Sequence, residues 1–178
     1  MSARVIVLEV TVLEAAHLST MVRQFIGLLD ATAADGAEAD PAVARLVPDA
    51  YRDDPEASAE FRRLTGDDLL TRRRSDAELV LATLSPAGSG ATGTPLDPTG
   101  LDPRSIDDDT AHAPMVVTLD LEETAAWLRS LTAVRLVLAS RLGIETETDH
   151  DIDDPRFGVY EWLGYRLEGL IEAADRVG

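Results

Sequence analysis

The carboxylates of Asp149-His-Asp-Ile-Asp-Asp154 fall at alternate positions, the spacing with which a calcium-binding loop begins, so this segment is the first candidate for holding a hard cation. The remainder of such a loop is missing. Asp154 stands where glycine would make the turn, and Tyr160 stands where a closing glutamate would sit. A second acidic cluster, Asp107, Asp108 and Asp109 with His112, reads as a solvated charge run. The three histidines, at 17, 112 and 150, lack the one-turn spacing that sets two ligands on one helix face, and no metal site is expected from them. His17 borders an apolar stripe, where a partly buried, hydrogen-bonded histidine is the ordinary outcome. No Gly-x-Ser-x-Gly elbow presents a serine nucleophile; Ser89 in Gly88-Ser-Gly90 lies in a loop-like stretch.

What is missing narrows the chemistry further. The 178 residues contain no lysine, no cysteine and no asparagine. Without lysine there is no Walker A phosphate loop, Schiff base or lysine general base; without cysteine there is no thiol nucleophile, thiolate metal site or disulfide. A GC-rich coding sequence accounts for much of the gap. No catalytic residue and no cofactor are therefore expected, and the chain reads as a non-enzymatic protein.

The candidates that remain are contact residues. Arg135 interrupts the most apolar stretch of the chain and keeps its charge on burial, so it should find a carboxylate in a buried ion pair joining two helices; an anion-binding arginine is the alternative. Phe157, Tyr160, Trp162 and Tyr165 cannot all share one helix face. Phe157 and Tyr160 belong to the inner stripe, leaving Trp162 and Tyr165 either to pack within the chain or to anchor a homodimer or partner interface. Glycines at 158, 164 and 169 each cost that helix up to about 1 kcal/mol, a penalty offset where another backbone approaches closely. Residues 45–74 hold seven arginines against seven acids, and Arg62 and Arg73 are candidate partner contacts. The interleaved carboxylates lie at helical spacing and favour a salt-bridged surface over a phosphate-tracking one. A net charge of −17 argues against general nucleic-acid binding, which depends on cations displacing condensed counterions.

These residues need elements to hold them. Arg4 to Val10 is β-branched and apolar, which suits a strand. Thr11 with Glu14 has capping-box spacing, and Leu18, Met21, Val22, Phe25, Leu28 and Leu29 then form one stripe of a helix over 12–32. Asp-Pro at 40–41, 54–55 and 154–155 marks three helix starts, each an aspartate cap followed by proline at the first helical position. These predict a short helix over 41–47, one over 55–65 and one over 155–176 with Phe157, Tyr160, Leu163, Leu167, Leu170 and Ile171 as its buried stripe. Thr65 and Asp68 suggest a separate cap for a helix ending at Leu84. Residues 85–114 carry five prolines and four glycines with few bulky apolar side chains, and are expected to form a flexible loop. Met115 to Leu119 is a second strand, and Asp120 with Glu123 caps a helix over 121–142 that is apolar on several faces and ends at Gly143. Strand, cap and helix thus occur twice, with the two strands placed to pair.

The segments Leu46-Val-Pro-Asp-Ala-Tyr-Arg-Asp-Asp-Pro55, Glu60-Phe-Arg-Arg-Leu-Thr65, Ala126-Trp-Leu-Arg-Ser-Leu131, Arg135-Leu-Val-Leu-Ala-Ser-Arg-Leu-Gly143 and Asp154-Pro-Arg-Phe-Gly-Val-Tyr-Glu-Trp-Leu-Gly164 occur in this order. Together they resemble an uncharacterised actinobacterial family known as a domain of unknown function. Its members are commonly encoded near the Clp protease adaptor and near sulfur-carrier and cysteine-synthesis genes, and some carry the label of transcriptional regulator. The resemblance implies a bacterial cytoplasmic protein with a proteostasis or regulatory role, and assigns no catalytic residue.

The expectation is a mainly α single domain over 1–178: five or six helices around the central 121–142 helix, with a minor two-stranded β-sheet. No signal peptide or membrane span is read, because the longest apolar runs fall far short of roughly 20 residues. The protein is expected to be cytoplasmic and to act through a protein partner or self-association as a regulatory or adaptor-like module. The alternative is a DNA-binding regulator using the arginine-rich helices.

Overall fold

A computed structural model of the chain describes residues 5–35, 40–51, 53–85, 91–92, 97–146 and 153–177. In chain order the elements are strand β1 (Ile6–Thr11), helix α1 (Val12–Asp35), the single turn α2 (Pro41–Ala44), helix α3 (Pro55–Leu84), the two-residue strand β2 (Ala91–Thr92), the single turn α4 (Asp108–Ala111), strand β3 (Pro114–Leu119) and helices α5 (Leu121–Leu142) and α6 (Gly158–Val177). The molecule is mainly α, with a small antiparallel sheet. β1 and β3 pair along their whole length, from Ile6 opposite Leu119 to Thr11 opposite Pro114. β2 adds a two-residue rung on the far side of β3, giving the order β1-β3-β2.

Both strand-to-helix joints are made by reciprocal caps. The Thr11 N–H donates to Glu14 Oε2 at 2.9 Å while the Glu14 N–H donates to Thr11 Oγ1 at 3.2 Å. Asp120 and Glu123 repeat the exchange at 2.9 and 2.8 Å, and Gly143 closes α5 at φ +72°, a conformation that favours glycine. Aspartates 40, 54 and 154 all accept a backbone N–H from the turn they start, the last opening a 3₁₀ turn (Pro155–Phe157) that leads into α6. Each cap is worth about 1 kcal/mol.

α5 is the central helix, touched by α1, α2, α3 and α6. Trp127, Leu131, Ala133 and Val134 are buried on it, and α1 supplies the facing Leu18, Val22, Phe25 and Leu29. Fully burying a side chain the size of Leu131 contributes about 1.5–3 kcal/mol. The buried Trp127 indole is satisfied across the α3–α5 seam, its Nε1 donating to Thr83 Oγ1 at 2.8 Å, while the Thr83 hydroxyl donates to the Val80 carbonyl.

Several local expectations are corrected. The helices predicted over 55–65 and up to Leu84 are one 30-residue helix: Thr65 caps nothing, and its hydroxyl donates to the Phe61 carbonyl one turn back. No proline stands between them, and Gly66 alone is too small a penalty to break a helix packed on both sides. The short helix expected over 41–47 is a single turn, Pro41–Ala44. Ile171, assigned to the inner stripe of α6, is 45% exposed, because the buried stripe runs through Leu163, Leu167, Leu170 and Ala174 and leaves position 171 on its flank. Within 85–114, residues 97–113 form two 3₁₀ turns and α4, started by Asp97-Pro98, Asp102-Pro103 and Asp107; Pro98 and Ala111 are buried. Residues 86–90 and 93–96 of the expected flexible loop, Ser89 among them, lie outside the described residues.

Candidate functional site

Glu14 lies where α1 leaves the sheet, and its cap to Thr11 leaves Oε1 turned toward α6. That oxygen accepts from Arg166 Nη2 and, at 3.3 Å, from Trp162 Nε1. Arg166 also reaches back to the Glu9 carbonyl at 3.4 Å. Burial pushes the Glu14 carboxyl up, but Arg166, the Thr11 N–H and the Trp162 indole together hold it below its ordinary value. A carboxylate held ionised by three donors has no proton to give near neutrality; its chemistry is to fasten α6 to the β1–α1 joint.

Beside this hub α1, α5 and α6 leave an apolar groove. Leu13, His17 and Met21 of α1, Leu138 and Leu142 of α5, and Val159 and Trp162 of α6 line a volume of about 480 Å³. Val159 is 50% exposed there. The α1 residues recur one turn apart, which draws the groove out over about 12 Å. His17, expected to be partly buried, stands exposed at its rim, because the helix turns it away from the packed stripe of Leu18 and Val22. The floor near Tyr160 joins a small second core of Phe157, Tyr160, Ala139 and Ile144.

The candidate contact residues do not converge. Trp162 is half-buried in the groove wall, whereas Tyr165 is 71% exposed and flanks a different depression, between β1 and α6. Arg62 pairs with Asp49, and Arg73 is half-buried beneath α3 with Nη2 donating to the Leu46 carbonyl at 3.2 Å. Burial draws the Arg73 pKa down, against the opposing pull of Asp76. The neighbouring arginines are also engaged: Arg63 with Glu60 at 2.7 Å, Arg74 with Asp30 and Glu78 at 2.7 and 2.5 Å, and Arg129 of α5 with Asp76 of α3 through two 2.7 Å bonds.

The carboxylate expected for Arg135 is not among the described residues. Its guanidinium instead lies over the Tyr160 ring, 4.0 Å from the centroid, with Nε 3.4 Å from the Tyr160 carbonyl. Gly164 makes this possible, since a Cβ there would stand 3.2 Å from both Nε and Nη2 of Arg135. Of the three α6 glycines expected at close backbone approaches, only Gly164 meets a neighbour, and that neighbour is a side chain; Gly158 and Gly169 face open space. A π face and a backbone carbonyl thus stand where a carboxylate was expected, an environment that suits a planar, weakly hydrated guanidinium.

The carboxylate clusters separate in the same way. Asp107 caps α4, and His112 Nδ1 sits 2.8 Å from the Asp108 carbonyl, at the exposed end of that turn. Asp154 accepts the Arg156 N–H and pairs with the Arg156 side chain at 2.6 Å, while residues 149–152 of the calcium-like segment lie outside the described residues. No group of three or more histidine or acidic side chains among the described residues is placed to hold a metal ion, and no helix among them is long and apolar enough to cross a membrane.

The groove was not legible as a unit in the sequence. Its liners appear there as ordinary members of three separate stripes, and the one signal that pointed to it was the surplus aromatic Trp162 outside the inner stripe of α6. No curated protein and no solved structure matches the chain. A family model spans residues 1–174, and the chain belongs to that family, the Domain of unknown function (DUF2017).

Proposed function

We propose that this domain works by protein contact and catalyses no reaction, as a regulatory or adaptor-like module of the bacterial cytoplasm, and that its partner lays an amphipathic helix in the groove between α1, α5 and α6. The observation that carries this reading is the groove itself. It is apolar, about 480 Å³ in volume, walled by Trp162 and Met21, and elongated along α1 to the length that anchors at i, i+4 and i+7 of a partner helix would span. A methionine in the wall adapts to the shape of what enters. The hub beside the groove supports a contact role, because the Glu14 carboxylate is already committed to three donors. The alternative of DNA binding through α3 has less support, since Arg62, Arg63 and Arg74 each hold a carboxylate that a phosphate would have to displace.

Photo-crosslinking in the native host from a photoreactive residue placed at position 159 tests the reading. The expected adduct joins a partner segment with apolar residues at helical spacing, and Val159→Asp abolishes the association with that partner. Adducts arising only from a control position at Leu64 on α3, or only with nucleic acid, would overturn it.

A further inference from the structure

Among the described residues, the register of the sheet leaves backbone groups of the β1 edge without a strand partner. Val12 N–H donates to the Ala113 carbonyl at 3.0 Å, which sets the phase of the ladder: alternate residues from Ile6 to Val10 bond to β3, and Val7, Glu9 and Thr11 turn their N–H and C=O groups outward. Two of these outward groups are already closed. The Thr11 N–H is held by Glu14, and the Glu9 carbonyl is reached by Arg166. Among the described residues nothing bonds the outward groups of Val7, and β1 has no second neighbouring strand. α6 runs beside this edge and reaches it at the Glu9 carbonyl, while the stretch itself is not broken by proline and carries Glu9 as its one charge.

Its surroundings specify what would pair with it. Val5 and Val7 are 43% and 57% exposed, and Tyr165 stands across a depression of about 370 Å³ between the edge and α6. The depression is rimmed by Glu9, Glu168 and Glu172 and by Arg166 and Arg176; Arg166 pairs with Glu14 and Arg176 with Glu172, while Glu9 and Glu168 have no ion pair among the described residues. A second copy of a chain with net charge −17 would bring further negative charge to this rim.

We propose that the Val5–Glu9 edge of β1 receives an extended, basic segment of another protein as an added strand, with its main chain bonded to Val7, an apolar side chain in the depression beside Tyr165, and flanking cations on Glu9 and Glu168. This surface is separate from the α1–α5–α6 groove, and the inference does not rest on the helix-binding reading. Strand addition of this kind takes affinity from main-chain bonds and specificity from alternate side chains.

The test uses the full chain and two labelled peptides of alternating valine, one with lysine and one with glutamate at the intervening positions. Fluorescence anisotropy is expected to show the lysine peptide binding at least about tenfold more tightly than the glutamate peptide, with the difference shrinking as salt is added. Hydrogen exchange should show the Val7 amide unprotected in the free chain and protected with the lysine peptide. Val7→Pro removes an outward N–H without deleting a ladder bond to β3 and should abolish binding. The double variant Glu9→Gln, Glu168→Gln, which leaves the edge intact, should weaken it by about tenfold. Equal binding of the two peptides, binding of neither, or protection of Val7 without peptide together with a dimer mass in sedimentation would each overturn the proposal, the last by making a second copy the occupant.

Discussion

Arginines on α3 and at the α5–α6 seam meet different fates although the residue is the same. On the surface of α3, Arg62, Arg63 and Arg74 each find a carboxylate, and all of these pairs are solvent-exposed to some degree. At the seam Arg135 has an aromatic face and a backbone carbonyl, and α6 gives up a side chain at Gly164 to admit it. The difference teaches that the residues set opposite a guanidinium by helix packing, here Gly164 and Tyr160, decide how it is satisfied. A planar, weakly hydrated cation can stack on an aromatic face, whereas the open faces of α3 pair their arginines with carboxylates that contribute little apiece.

The largest expected effect breaks the seam. Gly164→Val should lower unfolding stability by about 1–3 kcal/mol, because the added methyls meet the Arg135 guanidinium where no room remains. Denaturation of the double variant with Arg135→Ala should recover part of that loss. Equal destabilisation by Gly164→Val with and without Arg135 would show that the stacking geometry does not set the spacing.

A glycine on the other side of the comparison should respond with the opposite sign. Gly66 is buried in α3, yet a Cβ there would meet only Val47 Cγ1, at an ordinary 3.7 Å. Gly66→Ala is therefore expected to stabilise the protein by about 0.5–1 kcal/mol through helix propensity and lost unfolded-state freedom. Thermal unfolding reads this directly, and a fall in Tm would mean that α3 and the 45–48 turn are closer than the contact allows.

The smallest effect concerns acid. The Glu14 carboxyl titrates below its ordinary value when folded, so its contribution is complete above the unfolded glutamate pKa of about 4.3 and is lost as pH falls through the lower folded value. Glu14→Gln should flatten the acid limb of the stability curve below about pH 5. Glu60, on the exposed side of the comparison, also titrates low beside Arg63. Its share of the acid limb should vanish in high salt while that of Glu14 persists, since a half-buried pair is screened less.

Local signals were readable where they depend on neighbours in the chain. Both capping boxes, the three Asp-Pro starts, the Gly143 stop and the stripe of α1 follow from spacing alone and are found in place. The further Asp-Pro starts at 97–98 and 102–103 carry the same signal, overlooked because composition assigned their whole segment to a loop. The break expected at Thr65 failed for the reverse reason: a capping pair inside a helix is indistinguishable from a real start until packing shows the helix running through.

The sequence by itself determined the mainly helical class, the pairing of two strands and the central place of α5, because periodicity and caps are properties of residues a few positions apart. Only the tertiary structure decided which carboxylates meet which arginines, that Trp162 bonds Glu14 across 148 positions, that Trp162 and Tyr165 flank separate depressions, and that Val7 has no second strand beside it among the described residues. Those outcomes depend on helix rotation and sheet order, which are fixed when apolar faces from distant segments are buried together and are written in no single stretch of the chain.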